Sequence, residues 1–111
     1  MRRVVVTGMG LLTPLGCGVE FVWDRLLNGH SSGAKITRFD TSDYATSYAC
    51  EIPFGYDSIG KFNADEWMSP KDRRKVDDFI LYGICAADQA VRDAGWMPDK
   101  EEDLLLSLIH I

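Results

Sequence analysis

An α/β fold is what the sequence predicts, and three observations carry it. Residues 3–7, RVVVT, are a short, continuous, β-branched apolar run of the kind found in a strand covered on both faces. Residues 19–28 and 69–96 instead repeat their apolar positions at helical spacing. A strand followed by helices, with loop chemistry between them, is the order expected of an α/β sheet.

After the first strand comes GMGLLTPLG, residues 8–16. A dinucleotide fingerprint needs G-x-G-x-x-G opening a helix, so that backbone amides face a pyrophosphate. Gly8 and Gly10 fit, but Thr13 holds the third glycine position and Pro14 follows it. Proline disfavours helical geometry in the residue before it and has no amide to offer an anion. Glu51 sits inside a candidate strand, about twice too far along the chain for the ribose-binding role. The two glycines are therefore read as permitting a tight turn at the end of a buried strand.

In the next segment Val19, Val22, Trp23, Leu26 and Leu27 recur at helical spacing and Gly29 suits the position just past a helix end. Residues 30–44 carry loop chemistry, and residues 45–52 are a weaker strand candidate ended by Pro53. The strongest local signal is 69–96, read as one long helix. Ser69 caps it, Pro70 takes the first helical position, Asp72 completes an S-x-x-D box and Gly95 stops it. Steps of 100° gather Val76, Phe79, Ile80, Gly83, Ile84, Ala87, Val91 and Ala94 on one stripe, expected to be buried. Gly83, in mid-helix, is expected to admit another backbone.

Composition narrows the function classes. The chain has 111 residues, 46% of them hydrophobic, which suits one small globular domain. A net charge of −5 argues against generic binding to nucleic acid or to an anionic membrane. No apolar run approaches a membrane span, and a cytoplasmic location is expected. Cys17, Cys50 and Cys85 are odd in number and lack metal-ligand spacing, so reduced thiols are expected rather than a disulfide framework or a metal site. None has an activating base nearby in sequence. His30 and His110 are isolated, and Asp77-Asp78 and Glu101-Glu102-Asp103 read as solvated acids. No complete active site is visible, and the catalytic set is empty.

One surface stands out. The same helical wheel places Lys71, Arg74 and Lys75 together opposite the apolar stripe, with Arg73 turned towards the apolar side. Cations in a first turn oppose the helix dipole, so helix stability alone does not select them. Two readings stay open: a docking face for an anionic partner, or a solvated face with Arg74 and Lys75 paired to Asp78.

RRVVVTGMGLLTPLG, FDTSDYAT and KDRRKVDDFILYG, in this order and spacing, resemble the opening of a β-ketoacyl-acyl-carrier-protein synthase, most closely type II. The resemblance covers residues 2–105. It implies a thiolase-like layered α/β fold, of which this chain is an N-terminal part, and a homodimer. It also implies condensation of an acyl thioester with malonyl-carrier protein, with decarboxylation, through a cysteine nucleophile assisted by two histidines. That cysteine lies in an alanine-cysteine-serine/threonine motif further downstream, so Cys50, followed by Glu51, is not it. No cofactor is implied, because the substrate rides on the phosphopantetheine arm of acyl carrier protein. In type II enzymes the start of the long helix docks that carrier, which assigns carrier binding to Lys71, Arg74 and Lys75.

Residues 1–105 are accordingly expected to be the synthase N-terminal region. Residues 106–111, LSLIHI, are expected to be a non-native tail, since CTG TCT CTT ATA CAC ATC encodes them and resembles a transposon end used in sequencing libraries. Three functions are carried forward: part of a condensing enzyme, a carrier-binding module without chemistry, and a small nucleotide-binding protein.

Overall fold

The computed structural model describes residues 1–97; the acids at 101–103, His110 and the 106–111 tail lie outside the described residues. β1 (Leu12–Thr13) and β2 (Gly16–Cys17) pair antiparallel, Leu12 opposite Cys17 and Thr13 opposite Gly16, around a Pro14-Leu15 turn. The Leu15 N–H donates to Thr13 Oγ1 at 3.1 Å, a local side-chain bond that tightens this turn. α1 (Val19–Leu27) follows directly. It ends as the sequence indicates: Gly29 is left-handed (φ 70°), its N–H donates to Leu26 O, and the His30 N–H donates to Arg25 O. This is the paired closure that satisfies the last helical carbonyls.

β3 (Gly33–Lys35) and β4 (Tyr48–Cys50) form a second antiparallel pair, Ala34 opposite Ala49. β4 falls within the expected 45–52 strand. β3 falls inside the expected loop, because Gly-Ala-Lys carries neither alternation nor a β-branched residue. Just past β4 the Glu51 carboxylate accepts from the Thr37 hydroxyl at 2.8 Å and from the Thr37 and Arg38 amides. Those bonds, the hydroxyl first, hold its carboxyl below the ordinary glutamate value.

A 3-10 turn (Ala64–Glu66), capped by Asn63, leads to α2 (Pro70–Arg73) and α3 (Asp78–Ala94). The expected box is present at α2: Ser69 Oγ accepts the Asp72 N–H at 3.2 Å and donates to Asp72 Oδ2 at 2.7 Å. Gly95 (φ 64°) closes α3 in the same way as Gly29 closes α1. The single helix expected over 69–96 is, however, two helices. Asp77 is extended (φ −75°, ψ 158°) at the cap position of α3. The helical path holds through Lys75, and the break falls at Asp77, whose extended backbone starts α3 without a side-chain cap bond.

The core is small: Phe62, Ala64, Leu81 and Cys85, with Leu12, Cys17, Ile52, Trp67, Met68 and Tyr82 packed around it. Phe62 is fixed by backbone bonds to Pro53 and Gly55, and its ring meets Phe54 and Tyr82 edge-on. Arg38 lies over the Phe54 ring, 5.2 Å from its centroid.

Three sequence expectations are corrected. The covered face of α3 is the one carrying Leu81 and Cys85, whereas Phe79, Ile80 and Ile84 of the expected stripe are exposed. α3 is apolar over more than one face, and periodicity cannot tell which of two adjacent apolar faces the 3-10 turn and hairpin will cover. A Cβ at Gly83 meets nothing within 4 Å among the described residues, so none of their backbone approaches there. Residues 3–7 form no strand: no described segment pairs with them, and Val4, Val5 and Val6 are exposed. A β-branched run becomes a strand only when a neighbouring edge takes its hydrogen bonds.

Candidate functional site

The basic segment sits at the corner between α2 and α3, and the structure divides its cations. Arg73 turns inward and forms an ion pair with Asp65 of the 3-10 turn at 2.7 Å, tying α2 to the preceding turn. Lys71, Arg74 and Lys75 are all exposed. Lys75 Nζ lies 3.5 Å from Asp72, with both side chains more than half exposed, a geometry worth little in water. Lys71 and Arg74 form no ion pair with the described residues, and the Asp78 pairing considered for Arg74 and Lys75 is not formed.

Arg74 keeps right-handed helical angles, and the Lys75 N–H donates to Asp72 O at 3.0 Å. The helical path thus runs past α2, which keeps Lys71, Arg74 and Lys75 at neighbouring positions despite the break that follows. Beside them Pro70, Arg73, Arg74, Val76, Asp78 and Leu81 line an open cleft of about 330 Å³.

The glycine segment gives a different answer from the one a phosphate site needs. The chain leaves Gly10 into a hairpin, and α1 starts only at Val19. The Met9 N–H donates to Asp93 Oδ2 at 2.9 Å and the Leu11 N–H to Gln89 Oε1 at 3.1 Å. These two amides are committed to α3 rather than to an anion. Gly8 and Gly10 serve close approach: a Cβ on Gly8 would overlap the Ala90 carbonyl oxygen, and one on Gly10 that of Ala86.

No thiol is placed as a nucleophile. Cys17 Sγ and Cys85 Sγ lie 3.8 Å apart, with Gln89 Nε2 within 3.5 and 3.2 Å of them. Burial pushes the Cys17 thiol up and the Cys85 thiol up to about 12. Cys50 is exposed on β4, and His30 is exposed beyond α1. Among the described residues no three His, Cys, Asp or Glu side chains gather as a metal site would require, and no helix is long and apolar enough to cross a membrane.

A family model for the β-ketoacyl synthase N-terminal domain matches residues 1–108. The chain belongs to the β-ketoacyl synthase family. It is 55% identical over 103 residues to 3-oxoacyl-[acyl-carrier-protein] synthase 2 of Rhizobium meliloti (strain 1021), a match covering 93% of this chain and 24% of that protein. It is 41% identical over 116 residues to the mitochondrial 3-oxoacyl-[acyl-carrier-protein] synthase of Arabidopsis thaliana, covering 92% and 24%. Among solved structures it superposes on the ishigamide ketosynthase/chain length factor with a TM-score of 0.71 at 35% identity, covering 92% of this chain and 23% of that one. The chain therefore spans about a quarter of the length of the relatives it matches.

Membership in the β-ketoacyl synthase family bears out the resemblance read from the three motifs, and with it the thiolase-like α/β fold. It also accounts for the glycine segment without a nucleotide. What the motifs did not reveal is the role of Gln89, whose side chain holds both the Leu11 amide and the Cys17–Cys85 pair. Its partners lie 78 and 72 residues away along the chain, and only Cys85 is local.

Proposed function

We propose that this chain is the N-terminal part of a type II 3-oxoacyl-acyl-carrier-protein synthase and that Lys71, Arg74 and Lys75 are where acyl carrier protein docks. The observation that carries the docking reading is the division of the cations: Arg73 pairs with Asp65, while Lys71 and Arg74 stand exposed with no ion pair to a carboxylate among the described residues. An acidic partner would supply the missing charge and displace the weak Lys75–Asp72 contact. The acyl and malonyl groups arrive on the carrier's phosphopantetheine arm, so the synthase brings no cofactor of its own. The condensing chemistry belongs to residues outside this chain, in a cytoplasmic homodimer. Within the chain the contribution is steering and orientation rather than bond making.

The test uses a chimera in which residues 1–97 replace the matching segment of the Rhizobium meliloti synthase. Arg74→Glu with Lys75→Glu reverses two exposed charges. At roughly 1 kcal/mol each, kcat/KM for carrier-borne substrate should fall about 10- to 30-fold, with a weaker dependence on salt in what remains. Turnover of a short thioester not tethered to the carrier should stay within about twofold, as expected for a rim charge remote from the chemistry. Equal loss on both substrates would reject the docking role.

A further inference from the structure

We propose that Cys17 and Cys85 form a two-thiol oxidation site that closes to a disulfide, stapling the β1–β2 hairpin to α3. The two sulfurs come from positions 68 residues apart and meet at 3.8 Å. A disulfide bond is about 2.0 Å long, so closure is a movement on the scale of side-chain torsions. Gln89 holds the pair in register. Its Nε2 reaches both sulfurs while its Oε1 accepts the Leu11 N–H, one residue before β1.

The two thiols differ in access. Cys85 is fully buried in the core, whereas Cys17 is only half-buried, so an oxidant in solution reaches Cys17 first. With hydrogen peroxide as oxidant, the Cys17 thiolate sulfur attacks one peroxide oxygen. The O–O bond breaks, and the departing hydroxide takes up a proton to leave as water, giving Cys17 sulfenic acid. The Cys85 sulfur then attacks the Cys17 sulfur. The S–O bond breaks, and the second hydroxide leaves as water with the Cys85 proton. Two thiols are oxidised by two electrons, and one peroxide is reduced to two waters. Burial raises both thiols, so thiolate is scarce at neutral pH and the rate should rise as the pH is raised above 7.

Cys50 provides an internal control. It is exposed on β4 and competes for either partner. In a chain without structure, closure favours short loops. The 33- and 35-residue separations to Cys50 would each beat the 68-residue Cys17–Cys85 separation by about 2.8-fold, leaving that pair roughly one cross-link in seven. The chimera that carries residues 1–97 is oxidised with hydrogen peroxide at high dilution, its remaining thiols are alkylated, and it is digested with trypsin without reduction. Cys17, Cys50 and Cys85 fall on the separate peptides 4–25, 39–61 and 76–92. The expected result is that the 4–25/76–92 cross-link is the most abundant, is reversed by dithiothreitol, and becomes the sole product in Cys50→Ser. Either Cys50 cross-link exceeding it, or Cys17 passing to sulfinic acid in Cys50→Ser while Cys85 stays alkylatable, would overturn the proposal.

Discussion

Heated by itself, the 111-residue chain is expected to lose its structure over a broad range, without the sharp transition of a small two-state domain. The reason is what the fold leaves uncovered. Among the described residues the buried apolar ones are Val22, Phe62, Ala64, Leu81 and Cys85, while Val4, Val6, Trp23, Leu27, Phe79 and Met97 are each more than half exposed. Both sheets are two-stranded, below the number that stands alone in water. Retained secondary structure with loose packing should show as binding of anilinonaphthalene sulfonate, a helical far-ultraviolet spectrum and a weak near-ultraviolet one. Self-association is expected through the uncovered face of α3 and the free edges of β3 and β4. A monomer giving coincident, sharp transitions by calorimetry and circular dichroism would show this wrong.

The features that were legible in the sequence are those decided within a turn or two of chain. Gly29 and Gly95 end their helices because left-handed geometry is cheap only for glycine, and Ser69 and Asp72 cap α2 by bonds spanning three residues. The separation of Arg73 from Lys71, Arg74 and Lys75 was readable for the same reason, since one helical turn fixes it. What failed depends on distant partners. Residues 3–7 have strand composition but no neighbouring edge, and β3 exists only because Tyr48–Cys50 lies beside it. The break between α2 and α3 was hidden by apolar spacing that continues across Asp77, whose extended backbone starts α3 afresh with Leu81 and Cys85 in the core beside Phe62. The candidate docking face survived that break because all three of its residues precede Asp77. The buried stripe did not, because the covered face, with Leu81 and Cys85, is the apolar face adjacent to it.

Gly8 and Gly10 are the positions where a single methyl group would meet helix backbone at closest range. Neither has positive φ, so space rather than backbone conformation is the requirement. A Cβ at Gly10 would overlap the Ala86 carbonyl oxygen and stand 2.7 Å from Gln89 Cβ and 2.8 Å from Ala90 N. At Gly8 it would stand 2.5 Å from Ala94 N and 2.7 Å from Ala94 Cβ. These neighbours are mostly helix backbone, which cannot swing aside as a side chain can. The segment must lift from α3, which also breaks the Met9–Asp93 and Leu11–Gln89 bonds. Overpacking of about 1–3 kcal/mol and two lost hydrogen bonds of about 1 kcal/mol each put Gly10→Ala near 4 kcal/mol, with Gly8→Ala close behind. Because the chain alone is not expected to melt cooperatively, the measurement belongs to the chimera. There each variant should lower the melting temperature by about 5 °C or more, or reach the insoluble fraction. Gly33→Ala, whose added Cβ meets only Ser31 Oγ at 3.5 Å and whose φ is not positive, should leave the melting temperature within about 1 °C. An unchanged melting temperature for Gly10→Ala would mean that residues 8–11 do not lie on α3, and the anchoring role given to Gln89 would fall with it.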